Sequence, residues 1–248
     1  MSTFSIDVVQ KESIASRSPD ILVGLPDAGL VGTIAATFLV DSLQMKEVGY
    51  IDSARFQPLI IVRDNEVKNP IRIYGKDDLV VVISDIPVLP LMAVQFSKSL
   101  LGWAKKLNPN LVINITGLPV QNRLQIEKPE VLCLATGKQV MQLVRDANLT
   151  LFSDGVLFGT YAAVIKECVV QQVPSLTLLA QSHLNFPDPT ASIEALSIIN
   201  SLLKMNVDLA KLHKEAEMIR IKTRELMKQT ESALRESRME GGGPAIYR

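Results

Sequence analysis

The chain has few cysteines and offers no pattern for a metal or a disulfide framework. Cys133 and Cys168 are the only two among 248 residues, and each lies in an apolar stretch. In a chain of this size, two buried small hydrophobic residues are expected rather than a covalent staple. Because no Cys-x-x-Cys pair and no clustered Cys/His spacing occurs, we expect no zinc site and no other metal.

The chain also lacks an excess of either charge and any long apolar run. Lys and Arg number 26, as do Asp and Glu, so the basic surface that nucleic-acid binding requires is not expected. No run approaches the roughly 18 apolar residues that span a bilayer. The first 13 residues are polar and do not resemble a signal peptide. These features predict a soluble, cytoplasmic protein that binds neither nucleic acid nor a membrane.

Short apolar runs alternate with longer segments of helical period over the first three quarters of the chain. Strand-like runs are predicted at residues 21–25, 79–84, 111–116, 131–135 and 176–180. Helices are predicted at residues 29–43, 91–107, 138–147 and 161–170. Runs that are apolar throughout are typical of strands buried on both faces of a parallel sheet. The order therefore predicts an α/β domain over residues 1–188, with a mostly parallel sheet flanked by helices.

The composition changes at Pro187-Asp188-Pro189, where a second region begins. Asp188 suits an N-cap and Pro189 the first position of a helix. From there to residue 240 the sequence contains neither Gly nor further Pro. We therefore predict one long helix over residues 189–240, which packs on the domain at its start and projects from it further on.

The second half of that region carries an apolar seam with alternating steps of four and three residues. The seam consists of Met205, Leu209, Leu212, Ala216, Ile219, Thr223, Leu226, Thr230 and Ala233. This heptad spacing, with charged residues on the other faces, favours pairing with another helix as a coiled coil. We predict a homo-oligomer, sized as a tetramer, in which Leu209, Leu212, Ile219 and Leu226 mediate self-association. An amphipathic helix lying along its own domain is the alternative.

A short tail over residues 241–248 follows the helix. Gly241, Gly242 and Gly243 are expected to end the helix and to act as a flexible hinge. Beyond Pro244 and Ala245 the chain reads Ile246-Tyr247-Arg248. A branched hydrophobe, an aromatic ring with a hydroxyl and a terminal carboxylate suit capture in a partner's pocket.

The tail and several blocks of the body resemble a known family. Ile246, Tyr247 and Arg248 look like the hydrophobic-Tyr-X motif with which proteasome activators and assembly factors dock between α-subunits. The body is similar to archaeal members of the proteasome-assembly-chaperone family, of the second-chaperone type. The matching blocks are residues 24–32 (GLPDAGLVG), residues 117–119 (GLP), residues 155–159 (GVLFG) and residues 186–191 (FPDPTA). The resemblance implies an α/β domain, no established catalysis, self-association and binding to the 20S proteasome α-ring.

Three other functions remain open from the residues alone. Gly24 and Gly29 have the spacing of a phosphate-binding loop, but Leu30 stands where its Lys is needed, and packing glycines explain the block better. A hydrolase, phosphorylase or ligase could use Asp27 and Asp85, which follow predicted strands, or the neighbouring Ser182, His183 and Asp188. A holdase could instead use the projecting helices to hold unfolded segments.

The combined features predict a non-enzymatic protein without a cofactor. Its tail docks into the α-ring of the 20S proteasome without ATP. Gate opening and assembly can both use the same α-ring pocket, so the sequence leaves open whether the protein is an activator, an assembly chaperone or both.

Overall fold

The computed structural model describes residues 5–56, 58–63 and 65–241 of the chain, with side chains as far as residue 236. Within these ranges the chain forms ten strands and seven helices. The strands are β1 (Asp7–Gln10), β2 (Asp20–Gly24), β3 (Lys46–Asp52), β4 (Ile61–Arg63), β5 (Glu66–Lys68), β6 (Ile71–Lys76), β7 (Leu79–Ser84), β8 (Leu111–Pro119), β9 (Val131–Thr136) and β10 (Ser175–Ser182). The helices are α1 (Val31–Ser42), α2 (Pro90–Lys106), α3 (Lys138–Asp146), α4 (Gly159–Gln171), α5 (Pro189–Leu202), α6 (Ala210–Lys222) and α7 (Arg224–Gly241).

Eight of the strands form one mixed sheet in the order β1-β3-β6-β7-β2-β8-β10-β9. The central strands β7, β2, β8 and β10 are parallel, while β1, β3, β6 and β9 are joined antiparallel. The α/β fold is confirmed, but the prediction of a mostly parallel sheet is wrong. The apolar runs mark the buried parallel centre, whereas the direction of a flanking strand depends on its connections and not on its apolar pattern.

Helices cover both faces of this sheet. Alternate residues of each strand point to opposite faces, so Leu22 packs in one core cluster while Ile21 and Val23 pack in the other. The first cluster includes residues of α1, α3 and α5, and the second includes residues of α2 and α4. Helices α1 and α2 thus lie on opposite faces, which opens a crevice at the carboxyl ends of β2 and β8.

The single long helix predicted over residues 189–240 is three helices. The predicted start is confirmed, because the Asp188 side chain accepts a hydrogen bond from the Ala191 amide and Pro189 opens α5. The chain leaves the helical path between α5 and α6, where Lys204 has a φ of 51°. The side-chain amide of Asn200 donates a hydrogen bond to the backbone carbonyl of Val207 and accepts one from the backbone N–H of the same residue. Side chains of Asn and Asp compete with helical hydrogen bonds in this way, so a segment without Gly or Pro can still turn.

Candidate functional site

The predicted docking residues lie beyond the last helix. Gly242, Gly243, Ile246, Tyr247 and Arg248 are outside the described residues, and Gly241 is the final residue of α7. The position of α7 therefore decides from which part of the molecule the tail leaves.

Helix α7 lies over the carboxyl ends of the parallel strands. It contacts α2 and the 3-10 turn Ala28–Leu30 that follows β2. Met227, Thr230 and Ala233 are buried, and Asn185 Nδ2 donates a hydrogen bond to Glu231 Oε1 over 3.2 Å. The part of α7 around these residues therefore covers the edge of the sheet where ligands of open α/β folds usually bind.

The predicted self-association residues contact their own domain. Leu212 is fully buried, and Leu209, Ile219 and Leu226 pack against the core cluster that also contains α1 and α5. The heptad seam therefore faces the chain's own body, and no coiled coil forms within the described residues. On the outer side of α6, Met218 and Ile221 are 53% and 63% exposed.

The glycine block after β2 serves close packing. A Cβ atom on Gly32 would collide with the carbonyl oxygen of Ile115 and with the Tyr161 hydroxyl. A Cβ atom on Gly117 would collide with the carbonyl oxygen of Ala28. These glycines let β8 approach the start of α1, as the packing explanation of the block expects.

Tyr161 joins helix α4 to the end of β2. Its hydroxyl accepts a hydrogen bond from the Leu25 amide at 2.7 Å and lies 3.2 Å from the carbonyl oxygen of Val23. Burial raises the pKa of the Tyr161 hydroxyl well above its ordinary value, so the group stays protonated. Tyr161 is therefore suited to fix the position of α4 against the end of β2 at the crevice.

A cavity of about 110 Å³ lies in the crevice between these elements. Asp27 and Thr116 supply its polar lining, and the Thr116 hydroxyl donates a hydrogen bond to the Asp27 carboxylate. Phe158, Leu179 and Leu234 are among the apolar walls, the last of them from α7. The space is well below the roughly 300 Å³ at which small-molecule sites begin.

Asp188 is engaged in structure and not in a catalytic arrangement. Its carboxylate accepts hydrogen bonds from Arg123 Nε at 2.7 Å and from Arg123 Nη2 at 2.9 Å, and both side chains are buried. The Asp188 carboxylate also accepts a hydrogen bond from the backbone N–H of His183, while the Ser182 hydroxyl donates one to the His183 carbonyl oxygen. Among the described residues, Ser182, His183 and Asp188 therefore form no side-chain relay. The importance of Arg123 had no signal in the sequence, because its partner is 65 residues away.

The environment of His183 further weakens the enzyme alternative. Burial lowers the pKa of the His183 ring below its ordinary value, and the nearby Arg123 and Arg220 cations lower it further against the opposing effect of Asp188. The ring packs edge-on against Phe186, with centroids 6.1 Å apart. His183 is thus a largely neutral packing residue near pH 7.

Asp85, the other candidate acid, is held by two cations. Arg63 Nη2 lies 2.7 Å from one carboxylate oxygen of Asp85, and Arg72 Nη1 lies 2.6 Å from the other. Burial lowers the pKa of Arg72, but Asp85 and Tyr74 outweigh it and raise that pKa overall. Asp85 therefore neutralises a buried arginine of the sheet.

Neither a metal cluster nor a reactive thiol occurs in the part of the chain that the structure describes. No group of three or more His, Cys, Asp or Glu residues could hold a metal ion there. Cys133 and Cys168 are free and buried, and burial raises the pKa of each thiol to about 11. No helix in these ranges is long and apolar enough to cross a membrane.

Comparison with known proteins identifies the family. The family described as PAC2 matches residues 21–227, which is most of the chain. The chain belongs to the PAC2 family. The tail lies outside this match, so membership concerns the body and leaves the docking motif a prediction. The resemblance to proteasome-assembly chaperones is thereby confirmed for the body.

This PAC2 protein is similar to three further proteins over most of its length. A protein of Methanocaldococcus jannaschii described as uncharacterised is 25% identical over 236 residues, covering 95% of this chain and 97% of that protein. Pyrococcus furiosus PbaA, described as an archaeal homolog of proteasome-assembly chaperone, is 28% identical with a TM-score of 0.86, covering 92% of this chain and 99% of its own. Pyrococcus furiosus PbaB, described as an archaeal proteasome activator, is 20% identical with a TM-score of 0.75, covering 90% and 98% respectively. The likeness to PbaB shows a shared fold.

Proposed function

We propose that this chain binds the 20S proteasome by placing Ile246, Tyr247 and Arg248 in pockets of the α-ring. It acts without ATP as an activator, an assembly chaperone or both. The observation that carries the proposal is the match to PbaA over 92% of this chain, since PbaA is described as an archaeal homolog of proteasome-assembly chaperone. Membership of the PAC2 family over residues 21–227 supports it.

The described geometry is compatible with a docking tail. Helix α7, which contacts α2 and the turn after β2, ends at Gly241, so the predicted docking residues follow it closely in the chain. The seven residues from 242 to 248 can reach about 23 Å when extended. Ile246 and Tyr247 supply apolar and aromatic contacts for such a pocket.

Several tails on one oligomer would raise the weak affinity of a single tail. Linked binding events gain from a high effective concentration, and a glycine linker tolerates a mismatch of symmetry between the two bodies. Pairing through Leu212 would require α6 to leave its own domain. A homo-oligomer that keeps the described fold would instead use exposed residues such as Met218 and Ile221. Light scattering on the purified chain tests this, and a monomer would remove the gain from several tails.

The docking proposal is tested with Tyr247→Ala. We expect this change to weaken binding to 20S particles by about tenfold or more per tail, because buried aromatic anchors dominate such contacts. Hydrolysis of a fluorogenic peptide by the 20S particle measures gate opening in the same samples. Arg248→Lys is the matched control, since it keeps the charge and the main chain and should bind like the parent. Equal binding of Tyr247→Ala and the parent would show the proposal to be wrong.

A further inference from the structure

A second opening in the molecule is a groove between helices α1 and α6. Its apolar lining includes Ile34 and Phe38 of α1 and Ile219 of α6. The volume is about 470 Å³, which lies within the range of roughly 300–1,000 Å³ that small-molecule sites occupy. Asp85, directly after β7, also lines it, so the groove reaches the edge of the sheet where open α/β folds usually bind ligands. Unlike the small cavity in the crevice, this groove is large enough for a ligand.

The relative direction of the two helices determines which residues share an end of the groove. Helix α7 contacts the turn that precedes α1, so the end of α6 lies beside the start of α1. Lys222 and Thr33 therefore lie at the same end. Asp85 lies there too, because β7 runs parallel to β2 and ends beside it. Glu215 is two turns earlier in α6 and Asp41 two turns later in α1, which places both at the other end, about 10–12 Å away.

The charges at the two ends of the groove are opposite. At the first end Asp85 is paired with both Arg63 and Arg72, so the cations there outnumber the carboxylate. Lys222 adds a further positive charge to this end. At the second end both charged side chains are carboxylates. The groove thus has a positive end, a negative end and no net charge, which complements a neutral molecule with separated charges.

Threonine hydroxyls add hydrogen-bonding groups along the same groove. Thr33 at the positive end is 5% exposed, and its hydroxyl makes no hydrogen bond with the residues that the structure describes. A buried hydroxyl without a partner is unfavourable, so a ligand carboxylate at this end would gain by accepting a hydrogen bond from it. Thr37 lines the middle of the groove, one turn further along α1, among the apolar side chains. Its hydroxyl can both donate to and accept from a peptide group.

We propose that the groove between α1 and α6 binds a short free peptide of about three residues. An extended peptide advances about 3.3 Å per residue, so three residues span the distance between the two ends. The terminal carboxylate pairs with Arg63 and Lys222. The terminal ammonium pairs with Asp41 and Glu215. An apolar central side chain packs on Phe38. This site is separate from the proposed docking function and does not depend on it.

Isothermal titration calorimetry of the full chain with the tripeptide Ala-Leu-Ala tests the site. We expect a dissociation constant below about 1 mM when both termini are free. N-acetylation or C-terminal amidation each removes one terminal charge and should weaken binding by about fivefold. The compound ω-aminooctanoate carries both charges without peptide groups. It should bind at least about fivefold more weakly than the peptide, because it cannot form the hydrogen bonds of the middle segment.

Two variants assign the terminal charges of the peptide to the ends of the groove. Glu215→Gln should weaken binding of the free peptide by about fivefold and leave the N-acetylated peptide unaffected, because only the ammonium meets this carboxylate. Lys222→Gln should weaken the free peptide similarly and leave the amidated peptide unaffected. Glu217→Gln and Lys214→Gln are the matched controls, since both residues are exposed on α6 and do not line the groove. Each control should bind the free peptide like the parent.

Three results would overturn the proposal. They are the absence of binding by the free peptide up to about 10 mM, equal affinities of the free and the doubly capped peptide, and equal effects of Glu215→Gln and Glu217→Gln. Binding of ω-aminooctanoate as tight as that of Ala-Leu-Ala would overturn the assignment to a peptide. Because no proteasome is present in these titrations, their outcome is independent of the docking test.

Discussion

The buried carboxylate of Asp188 connects three parts of the fold, because it binds Arg123, the start of α5 and the backbone of His183. Asp188 is 0% exposed, caps α5 through the Ala191 amide and receives two hydrogen bonds from Arg123. Asp188→Asn keeps the size of the side chain and one oxygen for the cap, but it removes the charge that Arg123 requires. Removing one partner of a buried ion pair costs about 3–5 kcal/mol, because the other charge stays desolvated and unpaired.

The expected loss is large enough to measure by several methods. For a chain of this length, about 3–5 kcal/mol corresponds to a fall in the midpoint of thermal unfolding of roughly 6–20 °C. Urea unfolding followed by circular dichroism gives the free energy of unfolding directly. Glu225→Gln serves as the control, because its pair with Lys228 is exposed and should change the free energy by no more than about 0.5 kcal/mol.

A double-mutant cycle separates the ion pair from other effects of the substitution. In an Arg123→Met background the cation that pairs with Asp188 is absent, so Asp188→Asn should cost at least about 2 kcal/mol less than in the parent. An equal cost in both backgrounds would refute the reasoning. So would a cost below about 1 kcal/mol in the parent, since the pair would then contribute no more than an exposed one.

Two further predictions concern packing and pH. Gly32→Ala should lower the free energy of unfolding by about 1–3 kcal/mol, because its Cβ atom would collide with the carbonyl oxygen of Ile115. Gly102→Ala in the interior of α2 meets open space and should stabilise the chain by about 0.5–1 kcal/mol, and equal urea midpoints for the two variants would contradict this account. Burial raises the thiol pKa of Cys133 and Cys168 from 9.0 to about 11, so the folded state retains these protons longer than the unfolded state. Their contribution to stability is therefore complete below about pH 9 and is lost as the pH rises through about 11, which urea unfolding at pH 8 and pH 10.5 would reveal.

The central strands and the helices between them could be predicted because burial on both faces leaves a direct pattern. Strands β7 and β8 appear in the sequence as unbroken apolar runs, and α2 as an apolar face closed by Asn108 and Pro109. Strand β3 carries Lys46, Glu47 and Asp52 and has no such run, since it lies near the edge of the sheet. Strand β3 was missed for this reason.

In the C-terminal segment, the periodicity of apolar residues predicted a helical face but not what that face packs against. The seam through Leu212 and Leu226 was recognised as a helical face that needs a partner. Whether the partner is another chain or the chain's own body depends on the turn between α5 and α6. The local hydrogen bonds of the Asn200 side chain, and the bond that the Ala210 amide donates to the Asp208 carboxylate, stabilise that turn. Such side-chain competition leaves only a weak trace in a sequence.

The amino-acid sequence by itself determined the α/β character, the helical period of the C-terminal segment, the glycines of the crevice and the Ile246-Tyr247-Arg248 tail. Each of these depends on residues close together in the chain, whose spacing or chemistry is visible directly. Only the tertiary structure decided the mixed sheet, the partner of Arg123, the engagement of Asp85 and the packing of α6 and α7 on their own domain. These depend on contacts between distant segments, whose geometry arises from how the whole chain packs.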